Sequence, residues 1–301
     1  MKSIKVLLLT LLTGALISSC NKAAEKPAEG VTAEPAKTET TTLKIISLNG
    51  AVTEVISALG HQKEIVAVDV TSTFPEDIKT TAKDLGHTSR ITPESIIALK
   101  PTHVLGTAKD ISPELQEKLK AAGIKVEAFN QEFTIGGAKK LIAEVGTAIG
   151  VTDVTALQAA IDTDLKQVKP VSPSPKVLFI YARGANMMMV SGTGTAEDQV
   201  ITLAGGTNAA KDFADFKPLT PEALIKNNPD VILLYDTGLE SLGGKAGVLK
   251  IPGVDKTTAG KKGNIVTLDG GLVHSFGPRV GQAVTALNAL LINPQTATSA
   301  K

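Results

Sequence analysis

The sequence predicts an α/β protein: two Rossmann-like lobes joined by one long helix, with a ligand cleft between the lobes. Three observations carry this reading. Residues 92–105 (TPESIIALKPTHVL) and 220–233 (TPEALIKNNPDVIL) are one phrase written twice, 128 residues apart and identical at six of fourteen positions. Each half of the chain therefore holds a similar unit. Short apolar runs alternate with amphipathic stretches through both halves, as in sheets covered by helices. Between the halves lies the longest helical signal in the chain, AKKLIAEVGTAIGVTDVTALQAAIDTDLKQV. The natural place for a ligand is the cleft between two such lobes.

In the first lobe, residues 44–136, the pattern predicts strand Lys44–Leu48, helix Ala51–Leu59 and strand Ile65–Val68. Helix Pro93–Leu99, strand His103–Leu105, helix Pro113–Ala122 and strand Lys125–Ala128 follow. A linker helix over residues 137–170 comes next, closed by Pro170, Pro173 and Pro175, because proline cannot continue a helix. The second lobe, residues 171–301, is predicted to hold strand Lys176–Tyr181, helix Ala196–Leu203 and helix Pro221–Lys226. Strands Val231–Leu234 and Ile265–Thr267 and a final helix, Val280–Leu291, complete it.

The repeated phrase has a local logic. Thr92 and Thr220 can cap a helix, and Pro93 and Pro221 suit its first position. Glu94 and Glu222 fall in its first turn, where the helix dipole favours an anion. Pro101 and Pro229 stop the helix before an apolar strand. Taken singly, the two glutamates stabilise helix ends. As a pair, one on each lobe, they form a two-point docking surface for a two-fold symmetric partner.

Residues 1–20 read as a signal peptide. Lys2 and Lys5 precede an apolar run from Val6 to Leu16, which is too short to span a bilayer. The small residues before Cys20 resemble the lipobox of bacterial lipoproteins, in which that cysteine carries the lipid anchor. Cys20 is the only cysteine in the chain, so it has no internal disulfide partner. Residues 21–43, rich in Ala, Glu, Lys, Pro and Thr, read as a disordered tether. Apolar content of 43%, 20% charged residues and a net charge of +1 suit a globular body. With no Lys/Arg run to track phosphates, they exclude nucleic acid as the partner.

Five segments carry a family resemblance: KIISLNGAVTEVISALG (44–60), IVAVDVTSTFP (65–75), PESIIALKP (93–101), VSGTGTAEDQVITLAGGTNAA (190–210) and SFGPRVGQAV (275–284). Together they resemble the periplasmic haem-binding subunits of bacterial ABC importers. These subunits belong to a wider group of single-helix-linked binding proteins that also serves cobalamin, ferric siderophores, zinc and manganese. The resemblance runs from Lys44 to about Asn293. It implies a periplasmic or cell-surface lipoprotein, anchored to the membrane through Cys20, that hands haem to an ABC permease dimer. In the cobalamin relatives a glutamate on each lobe docks onto permease arginines, and Glu94 and Glu222 fall at the matching positions.

The resemblance also nominates cleft residues. Haem-binding relatives carry a Gly-Tyr-Met-Arg-like segment whose tyrosine binds the iron; here Gly86-His87-Thr88-Ser89-Arg90 stands there. His87 thus replaces the phenolate with an imidazole, itself a common haem ligand. Phe74, in the TSTFP stretch, is a pocket candidate. On the facing lobe Arg183 lies near a position where some relatives place a second ligating histidine. Arginine cannot ligate iron, but it pairs well with a propionate or holds a ligating side chain, and Arg90 can do the same from the first lobe. Tyr181 is either a second oxygen ligand or a packing residue. Met187, Met188 and Met189 form either a soft apolar wall, with Met188 at its centre, or the start of a strand. His274 precedes the last helix near the cleft, whereas His61 and His103 read as an exposed turn residue and a structural one. Arg279 reads as structural.

Rival readings are weaker. Cobalamin and siderophore clefts are usually walled by aromatics, and this chain has no tryptophan and two tyrosines. A zinc or manganese site needs several His and carboxylate donors on one ion, and four scattered histidines do not suggest one. No nucleophile elbow, phosphate loop or H-E-x-x-H pair points to an enzyme. A purely structural lipoprotein is the remaining alternative.

Overall fold

Near-continuous apolar strands dictate a sheet covered on both faces, and the computed structural model, which describes residues 42–294, contains two of them. The first lobe comprises β1 (Ile45–Ser47), α1 (Gly50–Ile56), β2 (Ile65–Val68), α2 (Ile78–Thr81), β3 (Lys83–Asp84), α3 (Pro93–Ile97), β4 (His103–Thr107), α4 (Pro113–Ala121), β5 (Lys125–Phe129) and α5 (Ile135–Ala148). Its strands are all parallel, in the order β3-β2-β1-β4-β5. α6 (Thr155–Leu165) leads to the second lobe. That lobe contains β6 (Lys176–Ala182), β7 (Met188–Ser191), α7 (Ala196–Leu203), β8 (Thr207–Asn208), β9 (Phe216–Pro218), α8 (Pro221–Asn227), β10 (Val231–Tyr235), α9 (Asp236–Ser241), α10 (Lys245–Val248), α11 (Thr258–Lys262), β11 (Ile265–Leu268), α12 (Gly270–His274) and α13 (Val280–Ile292). Its sheet, ordered β11-β10-β6-β7-β9, is mixed: β6, β10 and β11 are parallel, and β7 runs antiparallel to both of its neighbours.

The expected single linker helix is two helices. α5 ends in a Schellman motif: the Gly150 N–H donates to the Thr147 carbonyl at 3.1 Å and the Val151 N–H to the Gly146 carbonyl at 2.8 Å. Gly150 takes the left-handed backbone that this motif requires (φ 82°). The chain then restarts at α6, where Asp153 Oδ1 accepts the Thr155 N–H at 3.1 Å. Apolar periodicity ran through the break because both helices bury the same kind of face. α5 packs on α1 and β5, whereas α6 packs on α13, so the crossing between lobes is made by the short second helix. The helix expected over Ala51–Leu59 is formed, running as α1 to Ile56 and continuing as a π-helical turn over Ser57–His61 that breaks at Gly60 (φ 88°).

The core has three parts. One cluster covers the outer face of the first sheet (Ile46, Ile96, Leu119, Val126) and another that of the second (Leu178, Leu224, Ile232, Ile265). The third is shared, running from Ile45, Val55 and Leu141 through Ile161 to Phe179, Val200 and Leu287. The segment between α12 and α13 adds polar ties to the first lobe. Gln131 Nε2 donates to the Ser275 carbonyl at 2.7 Å, and Phe133 meets Phe276 edge to face at 5.6 Å. Gly277 lies so close to α1 that a Cβ there would stand 3.2 Å from Ala51 Cα. Leu43, expected in the tether, packs against the shared core. The signal peptide, Cys20 and the tether up to Thr41 lie outside the described residues. Among those described, no helix is long and apolar enough to cross a membrane.

Candidate functional site

The carboxyl ends of parallel strands are where ligands bind in open α/β sheets, and here both sheets turn those ends toward one cleft of about 800 Å³. The segment after β2 supplies Val70, Thr71 and Thr73 to its lining. Asp69 shapes that turn. Its Oδ2 accepts the Thr71 N–H at 2.9 Å and the Thr71 hydroxyl at 2.6 Å, and its Oδ1 accepts the Ser72 hydroxyl at 2.8 Å. Burial raises the Asp69 carboxyl above its usual range, against the pull of these hydrogen bonds. His87 follows β3 and lines the same wall. Its approach is pinned at Gly86, whose N–H donates to Asp84 at 2.8 Å and whose carbonyl accepts the Val70 N–H at 2.9 Å. The exposed His87 ring has no protein hydrogen-bond partner among the described residues.

The facing wall grows from β6, β7 and β10. Tyr181 and Arg183 leave the end of β6, with the guanidinium 5.7 Å from the Tyr181 ring centre. Tyr181 meets Tyr235 edge to face at 6.2 Å, and Tyr235 tilts onto Phe179 at 4.7 Å. Met189 and Phe216 extend this apolar wall.

At the base of the cleft lies a buried polar network. Glu197, in the first turn of α7, is 1% exposed. Its Oε1 accepts the Tyr235 hydroxyl and faces His274 Nδ1 at 3.2 Å. Burial opposes ionisation of Glu197, but the hydrogen bonds from His274 and Tyr235 and the imidazole charge prevail and hold its carboxyl below the usual range. The bond to Glu197 raises the His274 imidazole above its ordinary value. Burial, then the Glu197 charge, push the Tyr235 hydroxyl well above 10. The three directions agree on an anionic Glu197 held by two donors.

The cleft lining thus brings together His87, Tyr181, Arg183 and His274 from the sequence candidates. Three other candidates stand elsewhere, each for a definable reason. Met188 packs into the outer core of the second lobe; side chains alternate along a strand, so Met189 faces the cleft instead. Arg90 closes a tight turn, its N–H donating to the His87 carbonyl at 2.8 Å, which leaves it exposed outside the lining. Phe74 lies under the Arg279 guanidinium, 3.7 Å from its ring centre, and does not line the cleft. Arg279 itself makes a bidentate pair with Glu54, at 2.9 and 2.6 Å. His61, expected in the open, is half-buried with Nδ1 3.9 Å from Glu64. His103 is buried against the Thr102 hydroxyl at 2.9 Å. Glu94 and Glu222 are both exposed on α3 and α8.

Sequence reasoning missed Glu197 and Tyr235. Tyr235 ends an apolar run, and Glu197 sits where a glutamate ordinarily serves a helix dipole. Neither residue type nor spacing marks them, because their partners come from α7, β10 and α12, distant in sequence.

Comparison with known proteins places this architecture. The sequence matches the family model described as periplasmic binding protein over residues 45–272. The periplasmic heme-binding protein RhuT from Roseiflexus sp. RS-1, solved in apo form, is 36% identical over 84% of this chain and 99% of its own, with a TM-score of 0.80. The periplasmic heme-binding protein BhuT, solved with two hemes, is 32% identical over 83% of this chain and 98% of its own, with a TM-score of 0.78. An ABC transporter substrate-binding lipoprotein of Bacillus subtilis (strain 168), YvrC, is 31% identical over 261 residues, which is 84% of this chain and 81% of that protein.

Proposed function

The chain belongs to the periplasmic binding protein family, and we propose that it captures haem in its cleft and delivers it to an ABC permease. The observation that carries this reading is the cleft itself: about 800 Å³, walled by Tyr181, Met189 and Phe216, with the imidazole of His87, unpartnered among the described residues, on one wall and the guanidinium of Arg183 on the other. A flat, mostly apolar macrocycle with an iron at its centre and carboxylates at its edge fits that chemistry. His87 offers the iron a neutral nitrogen from the first lobe. Tyr181 offers an oxygen from the second, with Arg183 over its ring to pair with a propionate. Similarity to RhuT and BhuT supports the same ligand class. Bare zinc or manganese fits less well, since among the described residues no three His, Cys, Asp or Glu converge to hold an ion. A porphyrin brings four nitrogen donors of its own and asks the protein for only one or two.

In this reading the protein is a carrier and not an enzyme, exported and tethered to the membrane by a lipid on Cys20. Glu94 and Glu222 are its contacts with the permease dimer. Each is exposed in the first turn of a helix capped by a threonine hydroxyl, Thr92 to the Ser95 N–H at 3.3 Å and Thr220 to the Ala223 N–H at 3.2 Å. Each is followed one turn later by an exposed isoleucine, Ile97 at 39% and Ile225 at 47%. The two lobes thus present the same acidic and apolar pair to a two-fold symmetric partner.

Hemin titration of the purified protein, followed through the Soret band, tests the reading. A saturable shift is expected, and His87→Ala should alter its position or shape. No shift in the wild type would overturn haem as the ligand. A shift unchanged in His87→Ala would remove His87 from the iron and leave Tyr181 as the ligand to replace.

A further inference from the structure

The base of the cleft holds a histidine that the assignment above does not use. The His274 side chain is 57% exposed where it lines the cavity, yet its Nδ1 stands 3.2 Å from Glu197, whose side chain is 1% exposed. Tyr235, arriving from β10, donates to the same carboxylate oxygen. The second oxygen, Oε2, is buried with no partner among the described residues. An ordinary surface histidine has no need of such a support. Burying a carboxylate is unfavourable unless donors hold it, and two elements besides that of His274 are committed to holding this one in place. What the arrangement fixes is the imidazole: its ring plane and its tautomer, with the proton on Nδ1 turned to Glu197. Nε2 is then left without a protein partner among the described residues.

A carboxylate behind one ring nitrogen, with the other nitrogen open to a cavity, is how proteins prepare a metal-ligating histidine. The carboxylate orients the ring and makes its free nitrogen a stronger donor. The kind of metal follows from what surrounds it. No three His, Cys, Asp or Glu among the described residues could chelate a free ion, so a single imidazole here suits an iron already held by a macrocycle of nitrogens. We propose that His274, oriented by Glu197 and Tyr235, is an iron-ligating residue of the cleft, donating Nε2 to the iron of a bound haem. His274 is the ligand and Glu197 its positioning residue. This rests on the haem reading and deepens it: the second lobe supplies a nitrogen donor of its own, independent of His87.

The test is a hemin titration of the whole protein with His274→Ala beside the wild type and His87→Ala. His274 is largely exposed, so its truncation is compatible with folding. The expected result is a displaced Soret band, a lost low-spin ferric signal in electron paramagnetic resonance, or one fewer haem bound per chain, with free imidazole restoring the wild-type spectrum. Glu197→Gln should still bind haem, but with a raised ferric–ferrous potential, because the imidazole has lost its anionic partner. A purely structural Glu197 would not move that potential. A wild type that binds hemin, with spectrum and stoichiometry unchanged in His274→Ala, overturns this inference alone. Altered binding in His274→Ala that free imidazole fails to restore overturns it too, by showing a cleft deformed rather than a ligand lost. A wild type that shows no Soret band overturns the haem reading beneath it.

Discussion

Glu54 and Arg279 form a buried, bidentate ion pair that ties the first lobe to the segment before α13. Glu54, on α1, is 3% exposed, and Arg279 grips both its oxygens while covering Phe74. Burial still raises the Glu54 carboxyl above 4.5, with Arg279 pulling the other way. A carboxyl whose folded pKa is raised stabilises the fold below its unfolded pKa and loses that contribution as pH rises through the folded value. Arg279→Ala removes the two largest effects that lower the Glu54 pKa and leaves only the Ser275 hydrogen bond, so its folded value should rise further. At pH 8 the variant should be less stable than wild type by about 3–5 kcal/mol, the usual cost of stranding one member of a buried pair. The gap should narrow as pH falls and Glu54 takes up a proton. Denaturant melts at several pH values measure this, and a gap independent of pH would mean that Glu54 is not the group left stranded.

At the scale of elements, the break between α5 and α6 is the sharpest departure from expectation. A single residue makes it: Gly150, left-handed at φ 82° with nothing within 4 Å of where a Cβ would sit. Gly150→Ala therefore tests backbone strain with no steric term. It should destabilise the protein by roughly 1–2 kcal/mol, seen as a lower urea midpoint at an unchanged slope. An unchanged midpoint would show that the break does not depend on the left-handed residue. The repeated helices behave in the opposite way, with α3 and α8 reproducing their sequence match in three dimensions. Ile96 and Leu224 are fully buried, and the residue before the proline that follows each helix has positive φ, Lys100 at 49° and Asn228 at 40°.

For the whole molecule, the shared core decides how the lobes act. Apolar side chains run without interruption from the first sheet through α5, α6 and α13 to the second, and the 275–279 segment stitches α1 to α13. Opening the cleft widely would expose part of that core, so ligand entry should need only small displacements. A body of this kind presents Glu94 and Glu222 at a nearly constant separation, which suits a two-point contact. Reversing both to lysine should leave hemin affinity in solution unchanged and abolish haem-dependent growth or uptake in cells carrying the permease. Normal uptake by the doubly reversed protein would end the docking proposal.

The order of elements, the repeat, the caps of α3 and α8 and the family itself were readable in the sequence, because each rests on neighbours within a few residues or on a motif with fixed spacing. His87, Tyr181, Arg183 and His274 were also named there, Tyr181 and Arg183 at the end of the predicted strand Lys176–Tyr181, His87 through the family resemblance and His274 ahead of the last helix. What only the tertiary structure decided is which of these residues share a surface and what stands behind them. Met189 in place of Met188 depends on the register of β7. The division of the linker depends on a Schellman turn that apolar periodicity cannot register. The support of His274 by Glu197 and Tyr235 joins residues 77 and 38 positions apart, and a carboxylate becomes a functional group only when burial removes water and leaves it those two donors. Local physics writes itself into sequence patterns; desolvation and long-range pairing exist only once the lobes have closed around them.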